Sequence, residues 1–337
     1  MNLFRIRDLL SCKSCVPILI GLIFSVSSAS ACDICGCFMG ITPYDNQSTI
    51  SVLYRYRSFS GYEGQDHPIF PKGAKFFPIG RETGSAITSH NSDPTDFEVY
   101  RALELRGRYF IGKRLEVNAI LPVNSNTEQY NGNKNTLSGI GDATFYAGYH
   151  LLRKLDQETL NQRIIVGGGA KLATGQHDAE NFQGIQFNTL TQTGTGSTDG
   201  FIYVNYMLGY KKAGLSLSTT YKMNGENNEQ ESIANSTTSF LNVFYNVPLN
   251  KKMQIVPSVQ LAYEYSGGEK YQGVKTGEHV MNNLMSGIGL DFFVNNITLN
   301  LAMQTKAWSA KDDHAQPSGR VVLGITYNFN QLYYLLN

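Results

Sequence analysis

Three cysteines fall close together in the stretch ACDICGCFMG, at Cys32, Cys35 and Cys37. Covalent haem attachment needs C-x-x-C-H, and Gly36 stands where the His would be, so that chemistry is excluded. Three readings stay open. Cys32 could carry a lipid, because small residues precede it, although Ala29 occupies the place where lipoprotein signals usually have Leu. A disulfide would suit an oxidising compartment, and the odd count fits lipidation of Cys32 with pairing of Cys35 and Cys37. Three thiolates spaced C-x-x-C-x-C could also wrap copper or zinc. No cofactor is expected beyond that metal.

Histidines offer a second set of ligands. His67, His90, His177, His279 and His314 sit beside polar or acidic residues in segments expected to be loops. They could collect divalent metal for the thiols, or simply be polar residues in polar loops. A hydrolytic site would need an ordered nucleophile, base and orienting group. The nearest local combination, TSHNSD at Thr88 to Asp93, lies in a turn-rich stretch, and neither G-x-S-x-G nor H-E-x-x-H occurs. The chain is expected not to be an enzyme.

The third set is the charges, and their meaning depends on the elements that carry them. Arg5 and Arg7 followed by the apolar run VPILIGLIFSV and then SVSSASA read as an export signal over residues 1–31. No later segment holds the ~20 apolar residues of a membrane helix. Charged residues are only 16% of the chain, against ~25% in ordinary soluble domains. The net charge of +1 gives no basic character suited to nucleic acid.

From Ser48 onward, polarity alternates residue by residue. In VVLGITYNF, Val321, Leu323, Ile325, Tyr327 and Phe329 share one face, and Val322, Gly324, Thr326 and Asn328 the other. ITLNLAMQ and LEVNAILPVN repeat the pattern, which is that of strands. About twelve such segments are expected: 48–60, 97–111, 113–126, 139–153, 162–174, 199–211, 213–224, 238–248, 252–266, 281–294, 296–308 and 319–330. Connections after even-numbered segments are short, and those after odd-numbered ones, such as 61–96 and 175–198, are long and polar.

That asymmetry predicts an all-β chain forming a single transmembrane up-and-down antiparallel β-barrel, with short periplasmic turns and long extracellular loops. Aromatics near segment ends, among them Tyr109, Tyr149, Tyr210 and Phe329, fit interfacial girdles. The expected organisation is a cysteine-rich periplasmic segment at 32–47, a barrel at 48–330 and a tail at 331–337, in a Gram-negative outer membrane with both termini periplasmic. Its partners would be outer-membrane lipid, small solutes and the barrel-assembly machinery, and not nucleic acid. The sequence carries no sign of an oligomeric state.

Energy decides which face meets lipid. Turning an Arg or Lys to mid-bilayer costs about 2–4 kcal/mol, so the charged phase must face the lumen. That phase collects Arg55, Arg57, Glu104, Arg106, Arg108, Glu116, Asp142, His150, Lys171, Lys222, Glu264 and Asp291. These could form an electrostatic filter for small polar or anionic solutes, with arginines concentrated on the first two strands. They could equally form an internal ion-pair network in a filled barrel. In that case the cysteines and His-bearing loops would hold a metal-handling or surface-binding function.

The stretch SGIGDATFYAGYHLL, Ser138 to Leu152, resembles the outer-membrane proteins grouped under the meta pathway of phenol degradation. Members of that transporter-like family carry Ser-Gly-x-Gly-Asp leading into a Gly/Tyr-containing strand, here Ser138, Gly139, Gly141 and Asp142 followed by Gly148 and Tyr149. The resemblance implies the barrel architecture over most of the mature chain and carries no substrate. The two glycines are expected to turn the chain sharply into the barrel. Asp142 would then share the lumen phase with Thr144, Tyr146 and His150.

Overall fold

A computed structural model describes residues 47–60, 97–130, 133–154, 160–180, 187, 191–250, 252–275, 280–310 and 317–329. Twelve strands form the wall: β1 Ser48–Ser60, β2 Phe97–Ile111, β3 Leu115–Tyr130, β4 Thr144–Lys154, β5 Leu160–Lys171 and β6 Asp199–Tyr210. The rest are β7 Ala213–Met223, β8 Ser236–Tyr245, β9 Met253–Gly267, β10 Val280–Val294, β11 Ile297–Ser309 and β12 Pro317–Phe329. Each pairs antiparallel with its neighbour in sequence. The ring closes where β1 meets β12, from Ser48↔Phe329 to Phe59↔Pro317. Closure leaves the wall no free edge, which a membrane with no water to satisfy backbone groups requires.

Alternation decides the two faces. Along β11 every second residue from Thr298 to Gln304 is buried, while Ile297, Leu299, Leu301 and Met303 are exposed. The outward set is apolar around the ring, with Ile288 65% and Val259 62% exposed. Soluble monomers rarely expose an apolar patch beyond a few hundred Å². A wall this continuous suits only lipid.

Short links, as predicted, join β2 to β3, β6 to β7 and β10 to β11. In the last, Asn295 sits at φ 51°, a left-handed turn position that Asn tolerates. The expected ends of β1 and β2 match the observed ones.

Two expectations need correction. The third strand runs on to Tyr130 and folds back on the short strand Asn133–Ile140 as a hairpin. The predicted fourth strand is therefore interrupted: residues 141–143 break the ladder before β4 resumes at Thr144. Another short strand, Val247–Asn250, extends the line of β8 against β9. At the long-loop end, Glu231–Ile233, Glu269–Tyr271 and Val274–Lys275 form a separate small sheet.

Candidate lumen site

All twelve charged residues picked out by phase lie on the inward side of the wall or at its rim. Nine are buried, and Arg55, Arg106 and Arg108 are partly accessible. They are drawn into separate groups.

The first group bridges nonadjacent strands. Glu264 on β9 receives Arg57 of β1 at 2.6 Å and also Arg320 of β12. Arg57 and Arg320 stand opposite each other in the β1–β12 register, so one carboxylate is shared by two neighbouring guanidiniums. Arg57 lies over the Phe59 ring at 4.5 Å. Arg320 donates to Gln304 at 3.1 Å, and Gln304 donates to Gln260 at 2.8 Å.

The second group lines β1 and β2. Glu104 pairs with Arg55 at 2.6 Å and accepts from Nε of Arg106 at 2.7 Å. The carboxylate is 2% accessible, whereas the Arg55 and Arg106 side chains keep 20% and 12%. In the third group, near the short-turn end, His150 contacts Glu116 at 3.3 Å, and the Tyr203 hydroxyl donates to Glu116 at 3.4 Å. Arg108 donates to Asn118 at 3.1 Å. Asp291 accepts from Asn300 at 2.6 Å, on the neighbouring strand.

The fourth group is a belt of alternating charge at the long-loop rim of β4 to β7. Lys171 meets Asp142 at 2.8 Å and Asp199 at 2.9 Å, and Asp199 meets Lys222 at 2.7 Å. Both carboxylates also hold loops. Asp142 accepts backbone N–H groups from Gly175 and Thr195, each at 2.9 Å, and Asp199 accepts the Gly225 N–H at 3.0 Å. The break at 141–143 is what turns Asp142 into this position.

These anchors fold the β5–β6 connection inward. Thr193 presents its carbonyl to Asn124 at 2.8 Å, Thr191 and Gln192 present theirs to Asn126 at 3.1 Å, and Thr191 donates to Glu128 at 2.7 Å. All three recipients lie on the inward phase of β3. Two glycines make the approach possible: a Cβ on Gly194 would stand 2.6 Å from Gly175 Cα and 2.7 Å from Asp142. His177 is in this connection, packed beside Gly196.

The phase argument missed Asp199 and Arg320. Both follow the parity of their strands, Asp199 with Phe201 and Tyr203, and Arg320 with Val322 and Gly324, but each lies at or near a strand end. Cys32, Cys35, Cys37, His67, His90, His279, His314 and the TSHNSD stretch lie outside the described residues.

No protein-family model matches the chain, and no curated protein matches it. Among solved structures it is similar to an outer-membrane channel from Pseudomonas putida F1, with a TM-score of 0.59 and 14% identity over 86% of this chain and 100% of the other. The β-domain of the Bordetella autotransporter BrkA superposes with a TM-score of 0.46 at 9% identity, over 85% of this chain and 100% of that one. The likeness to the Pseudomonas structure is one of architecture, and together with the register it makes the chain a closed twelve-stranded antiparallel barrel of the outer-membrane kind.

Proposed function

We propose that this barrel is a Gram-negative outer-membrane channel, with both chain termini in the periplasm, that passes small polar or anionic solutes. The observation that carries the reading is the unequal accessibility of the second group. Every carboxylate among the twelve residues is buried, while the Arg55 and Arg106 side chains, which share the single carboxylate of Glu104, keep 20% and 12% of their surface accessible. What a solute meets on the β1–β2 wall is positive, and low-dielectric walls focus that field. Such an arrangement favours anions by attraction and is weak enough to release them.

The same reading carries the expectation that the protein is not an enzyme. His150 contacts Glu116 and the ring of Phe110 inside the wall. The Ser138-to-Asp142 stretch supports placing the chain with the transporter-like barrels of the meta-pathway group.

The test is single-channel conductance in a planar bilayer under a salt gradient. The expected result is a steady current with a reversal potential on the anion-selective side. Arg55→Gln with Arg106→Gln should move that potential toward cations. No current from protein shown to be folded would overturn the channel, and an unmoved potential would overturn the filter.

A further inference from the structure

The near-neutral net charge conceals a local excess of exposed cations at one end of the barrel. At the short-turn end, the links carry exposed cations: Lys113 and Arg114 between β2 and β3, Lys154 at the end of β4, Lys211 and Lys212 between β6 and β7, and Lys252 between β8 and β9. Among the described residues at this end the only acids are Glu116 and Asp291, and both are buried inward. Asp156 and Glu158, on the β4–β5 link, lie outside the described residues.

A second feature shares this level. Just inside the cations, the outward face bears Tyr109, Tyr210, Tyr245 and Tyr327, each between 45% and 54% exposed. The Lys211 ammonium lies 5.3 Å from the Tyr210 ring centroid. Aromatic side chains of this kind settle where acyl chains give way to headgroups. Flexible lysines placed just beyond them reach the phosphate layer.

We propose that the short-turn end is a docking surface for anionic phospholipid headgroups, so that the leaflet around it is enriched in lipids of the phosphatidylglycerol kind. The proposal rests on the reading of the chain as a membrane barrel. The girdle fixes the depth of the rim, and the ring of cations supplies the preference for negative over zwitterionic headgroups. The cations lie on four different links, so the preference extends around much of the circumference and does not form one pocket.

The test uses the full chain reconstituted in vesicles with spin-labelled phosphatidylglycerol or phosphatidylcholine, reading the relative association of the two lipids. Flotation with the vesicles is checked first, and protein that does not float would overturn both the membrane reading and this proposal. In floated protein, phosphatidylglycerol should be favoured by about twofold at low salt and approach parity near ~0.5 M salt. Replacing Lys113, Arg114, Lys154, Lys211, Lys212 and Lys252 by Gln should abolish the preference. These are exposed link residues, and retained strand content by circular dichroism confirms that the variant is folded. Parity in the unaltered protein, or a preference unchanged in the variant, would overturn the proposal alone. A variant that shifts the reversal potential while leaving the lipid ratio intact would assign the cations to the pore mouth and also overturn it.

Discussion

Neutralising Glu264 tests whether the inward charges are held by one another. Glu264→Gln keeps the shape of the side chain and removes the negative charge that Arg57 and Arg320 share. Those arginines are 2% and 6% exposed and opposite in register, so their repulsion would no longer be offset at that position. Removing one partner of a buried ion pair costs about 3–5 kcal/mol. Two cations depend on this carboxylate, which places the expectation at the upper half of that range. The assay is the urea midpoint of unfolding in detergent, read by the mobility difference between folded and unfolded barrel. Arg320→Gln alone should cost less, because it leaves one matched Arg57–Glu264 pair. The double variant should be more stable than Glu264→Gln alone. A loss below about 1 kcal/mol for Glu264→Gln, or a double variant weaker than both single ones, would refute the shared-carboxylate account.

Three other outcomes follow from the geometry. Leu103→Arg, on the outward face near the middle of β2 and 50% exposed, should weaken folding into lipid vesicles by about 2–4 kcal/mol; urea titration of the vesicle-bound protein measures it. Gly194→Ala forces a Cβ into Gly175 and Asp142, so the β5–β6 connection should become cleavable by protease while the barrel ladder survives. Asp142→Ala removes the acceptor for the Gly175 and Thr195 N–H groups. Single-channel recordings should then show a larger or noisier conductance, if the connection narrows the path.

Much of the barrel was legible because a membrane wall leaves little freedom. Period-two alternation and a lipid cost per charge decide both strand type and facing, and the limits of β1 and β2 followed directly. The break at 141–143 was legible only in part: the glycines of SGIGDATFYAGYHLL were expected to turn the chain, but the alternation on both sides made 139–153 read as one strand. The pairing within the lumen was hidden for a different reason. Arg57 and Glu264 belong to strands separated by three others, and only the curvature of the closed ring brings them together. The inward fold of TQTGTGSTDG depends on Asn124, Asn126 and Asp142, far away in sequence, while its Thr and Gly residues read locally as an ordinary outer loop. Cations spread over four links look unremarkable in a chain of balanced charge.

The β1–β12 junction has a consequence for how the molecule comes into being. Every other wall contact joins neighbours in sequence and can form as a growing meander of hairpins. This one joins the two ends of the described wall, so its loop-closure entropy is the largest in the molecule. Contacts of such separation form late and slowly. Until they form, β1 and β12 both present open edges able to recruit any strand they meet. The final step of assembly is therefore the one that turns a sticky sheet into an inert cylinder. A chain shortened within β12 would lose its capacity to become finished, and with it far more than a single strand.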